Sequence, residues 1–75
     1  GRDEPTYATT GVRDDLMDAT KDAVSAMIDH LVERRDLTRE EAYVLCSVAV
    51  DLKINEVVDR PNWVVSAYLA ESLLE

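Results

Sequence analysis

Residues 38–59 read TREEAYVLCSVAVDLKINEVVD, and the change of character along this stretch decides the fold. It opens on Thr38, with Glu41 three residues later. That spacing is a capping box, in which the hydroxyl accepts from one orphan amide and the glutamate from another. Leu37 and Ala42 occupy the staple positions around it. A helix is therefore predicted to start at Arg39. Its body, residues 42–50 (AYVLCSVAV), holds one polar residue, Ser47. Wound at 3.6 residues per turn, only Glu40, Ser47 and Asp51 share a narrow polar strip. From Leu52 the period drops to two: Leu52, Ile54, Glu56 and Val58 alternate with Lys53, Asn55, Val57 and Asp59. Such alternation predicts a strand whose apolar face is interrupted by Glu56.

A helix that is apolar nearly all round belongs in the interior of a larger body. The chain has 75 residues, and a chain of that size buries only about 60% of the surface its unfolded form exposes. Little is left to cover every side of residues 42–50. The expectation is one α+β domain over residues 1–75 that is part of something larger or packs against another subunit.

Outward from this centre the pattern is simple. Residues 14–35 sort into two faces at helical spacing. Leu16, Met17, Val24, Met27, Ile28 and Leu31 share one, and Asp18, Lys21, Asp22, Ser25, Asp29 and Glu33 the other. Ala19, Ala23 and Ala26 form a small-residue flank that would let another element approach closely. Asp14 and Asp15 suit the positive helix end, Arg34 and Arg35 the negative one. Residues 1–12 read as extended, with a short strand over residues 6–9 that Gly11 punctuates. Downstream, Asp59, Arg60, Pro61 and Asn62 predict a turn. Residues 63–69 (WVVSAYL) predict a strand that pairs back as a hairpin, and residues 70–75 a short tail. The order is β-α-α-β-β: two helices packed on a small antiparallel sheet.

Sixteen acidic residues face eight basic ones, and both halves lean acidic. A phosphate backbone would be repelled, so nucleic acid is not an expected partner. No apolar run approaches the roughly 20 residues of a membrane helix, and no basic amphipathic face is present to hold a membrane. The lone cysteine, Cys46, excludes an intrachain disulfide. It suits a reducing compartment, and the localisation expected is cytoplasmic.

Residues 38–59 resemble the carboxy-terminal region of the acetamidase/formamidase family. There a helix of type S/T-R-E-[ED]-A-Y-x-L-x-S-x-A runs into a strand of type VDLRVTQVVD. Thr38, Arg39, Glu40, Glu41, Ala42 and Tyr43, then Leu45, Ser47 and Ala49, and then residues 50–59 (VDLKINEVVD) carry the likeness. Upstream, TTGVRDDLMDATKDAVSAMIDHL is similar to the family's preceding strand and helix. This chain departs at Asn55-Glu56, where the family has Thr-Gln. It departs again at Val64-Val65-Ser66, where a Gly-Val-His run is common, and at Ala70 and Leu74, where Pro and Phe are usual.

The resemblance implies a parent enzyme, several times longer, that hydrolyses the C–N bond of linear amides such as formamide or acetamide and releases ammonia. It implies a divalent metal, zinc or similar, held by His- and Asp-rich segments upstream, with no metal ligand in this chain. A metal-activated water attacking the carbonyl is the chemistry expected of such a site. The partners expected are the rest of the parent enzyme or other subunits, as a homo-oligomer. The 75 residues alone are expected to be inactive. The competing reading is a non-catalytic interaction or oligomerisation module.

Among the residues themselves, Asp51, Asn55 and Glu56 are the candidate site group. Asp51 is expected to end a buried helix and Glu56 to sit on an apolar strand face, where a carboxylate must be paired, hydrogen-bonded or protonated. Each is either a structural carboxylate or a pocket-wall group of the parent site. Cys46, mid-helix among apolar residues, reads as a small buried hydrophobe rather than a nucleophile. His30 reads as a solvated or hydrogen-bonded helix residue, since one histidine builds no metal site. Trp63 and Tyr68 read as packing or interface aromatics.

Overall fold

A computed structural model of the chain describes residues 5–57 and 62–74. The observed order is β-α-α-β-β: β1 (Thr6–Arg13), α1 (Leu16–Arg35), α2 (Arg39–Ala49), β2 (Asp51–Val57) and β3 (Asn62–Ala70). A single 3-10 turn, Glu71–Leu74, follows. The three strands form one antiparallel sheet in the order β1-β3-β2. The class is α+β, as the hydrophobic periods predict.

Each helix begins and ends where its local chemistry requires. Asp15 caps α1, its carboxylate accepting from the Asp18 amide at 2.9 Å, so the helix starts at Leu16 and not at Asp14. At the other end Asp36 adopts φ 58°, the left-handed conformation that closes a helix. The amide of Leu37 then reaches the Leu31 carbonyl at 3.4 Å. Thr38 and Glu41 form the capping box in full, with bonds of 3.1 and 2.9 Å.

Cross-strand partners share a face of the sheet, which sorts the strands into an inner and an outer side. Tyr7, Thr9 and Gly11 of β1 lie opposite Leu69, Ala67 and Val65 of β3. Leu52, Ile54 and Glu56 of β2 lie opposite Ala67, Val65 and Trp63. This is the inner side, and α1 packs on it over β1 and β3. The core consists of Ala19, Ala23, Met27, Ile28 and Leu31 of α1, Ala42 and Cys46 of α2, and Val65, Ala67 and Leu69 of β3.

Four boundary and face expectations are corrected. The first strand does not stop before Gly11 but runs on to Arg13. Gly11 is there for contact, since a Cβ on it would collide with the Ala19 carbonyl and lie 2.9 Å from the Ala23 amide nitrogen. For the same reason Ala19 and Ala23 are the centre of the buried stripe, fully enclosed, and not its flank. Met17, expected on the buried face, is 61% exposed, because the sheet meets the alanine side of α1. Thr9 reinforces this approach by donating to the Ala23 carbonyl at 2.6 Å. Asn62, expected in a turn, is the first residue of β3, and the rest of that turn lies outside the described residues.

Candidate interaction surface

The second helix buries one side only. Ala42 and Cys46, four residues apart, face the core. Winding places Val44 and Val48 on the opposite side, and there they are 60% and 80% exposed, with Tyr43 beside them at 64%. The helix that the sequence marks as interior is thus bare along its outer face. Arg39 binds Asp29 of α1 at 2.8 Å and ties the start of α2 to α1. Between these helices runs a shallow groove lined by Ile28, Arg39, Glu40, Tyr43 and Val44. A second, more apolar groove is lined by Glu41, Val44, Leu45 and Val48, again with Glu40 at its border.

The sheet continues the exposed apolar surface. Among the described residues no helix packs along β2, and Leu52 and Ile54 are 46% and 48% exposed on its inner side. One edge of β2 pairs with β3; the other carries no strand among the described residues. Among the described residues, no helix lies on the outer side of the sheet either. Thr10 and Ser66 there share a hydrogen bond of 3.3 Å across β1 and β3.

Asp51, Asn55 and Glu56 all fall on β2, and all three are exposed. The expectation of a buried setting is corrected: Asp51 does not end a buried helix but opens an edge strand, after Val50 has capped α2. Water reaches these side chains, so burial imposes no pairing on them. They do not converge. Asp51 and Asn55 lie on the outer side, opposite Tyr68 and Val64, and Glu56 on the inner side, opposite Trp63. Four residues of strand separate the first two by about 13 Å. Among the described residues, no three His, Cys, Asp or Glu side chains are gathered for a metal ion. Asp51, Asn55 and Glu56 are therefore not arranged to hold a divalent metal by themselves.

The two remaining candidates behave as packing groups. Cys46 is 7% exposed, and burial pushes its thiol pKa above the ordinary value. That disfavours the thiolate a nucleophile needs. His30 stacks on Tyr7 with ring centroids 3.5 Å apart and planes 7° from parallel. Its pKa is lowered, first by partial burial and then by Arg35 and Arg34. Trp63 packs at the border of the core. What the sequence could not single out is which side of α2 stays bare, because Tyr43, Val44 and Val48 look no less apolar than Ala42 and Cys46.

No helix among the described residues is long and apolar enough to cross a membrane. The family model of the acetamidase/formamidase family matches residues 7–75. No curated protein matches the chain.

Proposed function

This chain belongs to the acetamidase/formamidase family, and from that premise we propose that it forms the carboxy-terminal α+β portion of an amide hydrolase that releases ammonia from formamide- or acetamide-type substrates. The family's chemistry is amide hydrolysis. The observation that carries the structural half of the proposal is the bare outer face of α2, where Val44 and Val48 stand exposed on a helix with the composition of a core element. The remainder of the parent enzyme is the natural cover for that face, and the reacting centre belongs to that remainder. A divalent metal held there, outside these residues, would supply the activated water. Asp51, Asn55 and Glu56 are proposed as wall residues that meet the site only once the parent is assembled. The compartment proposed is the cytoplasm.

Ammonia release from formamide and acetamide, measured for the 75-residue chain and for the longer polypeptide that contains it, tests this. Turnover is expected from the longer protein only. Metal-dependent turnover by the isolated chain would overturn the division of labour. Inactivity of both would favour the second reading, a non-catalytic interaction module. The exposed grooves along α2 and the free edge of β2 are the observations that support that alternative.

A further inference from the structure

The edge of β2 away from β3, unpaired among the described residues, carries a pattern that is complementary to itself. Residues 50–54 read Val-Asp-Leu-Lys-Ile. Run antiparallel against a second copy about Leu52, they place Val50 opposite Ile54, Asp51 opposite Lys53, and Leu52 opposite Leu52. Apolar residues then meet on the inner side and an anion meets a cation on the outer side; the Val50–Ile54 and Asp51–Lys53 pairs each occur twice, and Leu52 meets its own copy once on the two-fold axis. Val50 already has the extended backbone this needs, with φ −79° and ψ 130°. Leu52 and Ile54 are half exposed, and Asp51 and Lys53 are exposed with no side-chain partner among the described residues.

We propose that a second copy of this chain docks on this edge, strand to strand, through residues 50–54, joining two three-stranded sheets into one of six. The register is selected by chemistry. Pairing centred on Lys53 would set that cation against itself, and pairing centred on Ile54 would set Leu52 against Glu56. Like charges directly opposite each other destabilise a strand pair, and opposite charges or packed apolar pairs stabilise it. The other sheet edge offers no such match. The one charge of β1, Arg13, is already bound to Asp22 at 2.9 Å and Asp18 at 3.6 Å. The net charge of −8 on each copy opposes the encounter but is screened beyond about 8 Å at physiological ionic strength. The proposal does not depend on the amidase reading, since it concerns assembly and not turnover.

Sedimentation equilibrium across a concentration series reaching millimolar, at physiological ionic strength, tests it with variants of the full chain. The wild type is expected to dimerise reversibly. Lys53→Glu turns both charge pairs repulsive and should weaken the dimer roughly tenfold or more. The double reversal Asp51→Lys/Lys53→Glu should restore it. Circular dichroism confirms that each variant is folded, and both positions are exposed. A cross-link supplies an independent reading. Leu52→Cys should form an interchain disulfide, because opposed strand residues lie about 4.5–5.5 Å apart at Cα. Ile54→Cys should not, because its own copy lies about 13 Å away along the strand. A chain that stays monomeric throughout overturns the proposal. So does a dimer indifferent to Lys53→Glu, which would point instead to the outer face of α2, or cross-linking at position 54 in place of 52.

Discussion

Gly11 shows how one residue sets the distance between two layers. Its missing side chain lets β1 lie against the α1 backbone at Ala19 and Ala23. Gly11→Ala forces an added carbon into backbone, which cannot swing aside as a side-chain tip would. The loss expected is about 3 kcal/mol, at the upper end for overpacking, read as a lower denaturation midpoint in urea. A stability within error of wild type would mean that the helix sits farther from β1 than described. His30 gives a pH dependence whose sign is fixed by its surroundings. Burial and the two arginines lower its pKa in the fold, so the unfolded chain binds the proton more readily. Its contribution is complete above the unfolded pKa of about 6.5 and is lost as pH falls below that, toward the folded value. Urea midpoints measured through that window should decline in the wild type, and the decline should be shallower in His30→Gln. Equal slopes in the two proteins would remove His30 from the account. Both effects depend on which groups sit beside the residue, and sequence spacing does not carry that information. Gly11 therefore reads as a turn signal, although it is a contact.

Elements were more legible than contacts, because their signals are local. The capping box needs only Thr38 and Glu41, and both bonds form as the spacing requires. Thr38→Ala removes the hydroxyl that accepts the Glu41 amide at 3.1 Å. It should cost about 1 kcal/mol, seen as a lower thermal midpoint with the fold unchanged. An unchanged midpoint would mean that packing of Ala42 and Leu37 alone fixes the start of α2. The switch from helix to strand after Ala49 was equally readable, since period two replaces period 3.6 within a few residues. The buried face of α1 was readable only in part. Its periodicity finds Met27, Ile28 and Leu31. The enclosed positions Ala19 and Ala23 are indistinguishable by hydrophobicity from Ala26, which is only half buried. Their burial follows from Gly11 and Thr9 on another element, which docks at short range. Of the candidate group, Asn55 and Glu56 fall on the strand as their alternation predicts, whereas Asp51, expected to end a buried helix, opens that strand instead, and the burial expected around Asp51 and Glu56 is not found. Reading their exposure required knowing that, among the described residues, β2 is an edge with no helix above it, a property of strand order and not of the strand.

Across the whole molecule, the outer side of α2 stands exposed at Tyr43, Val44 and Val48. The chain exposes 5313 Å², against about 4600 Å² expected for a compact monomer of 8.4 kDa. Part of that exposure lies, among the described residues, on the inner side of β2 at Leu52 and Ile54 and on the outer side of α2 at Val44 and Val48. Exposed valines add little to the stability of the isolated chain, because their surface is not removed from water on folding. Replacing both in Val44→Lys/Val48→Lys should therefore change its unfolding free energy by no more than about 0.5 kcal/mol. The same double substitution in the longer amidase proposed above should act very differently. There it would bury two ammonium groups without partners, at a cost of several kcal/mol each. Ammonia release and soluble yield should then fall together, while the isolated domain carrying the same changes still unfolds cooperatively at its usual midpoint. If the longer enzyme keeps both its activity and its native size, α2 faces solvent in the parent as well. The apolar body of the helix would then have to be explained by a partner other than the enzyme's own chain.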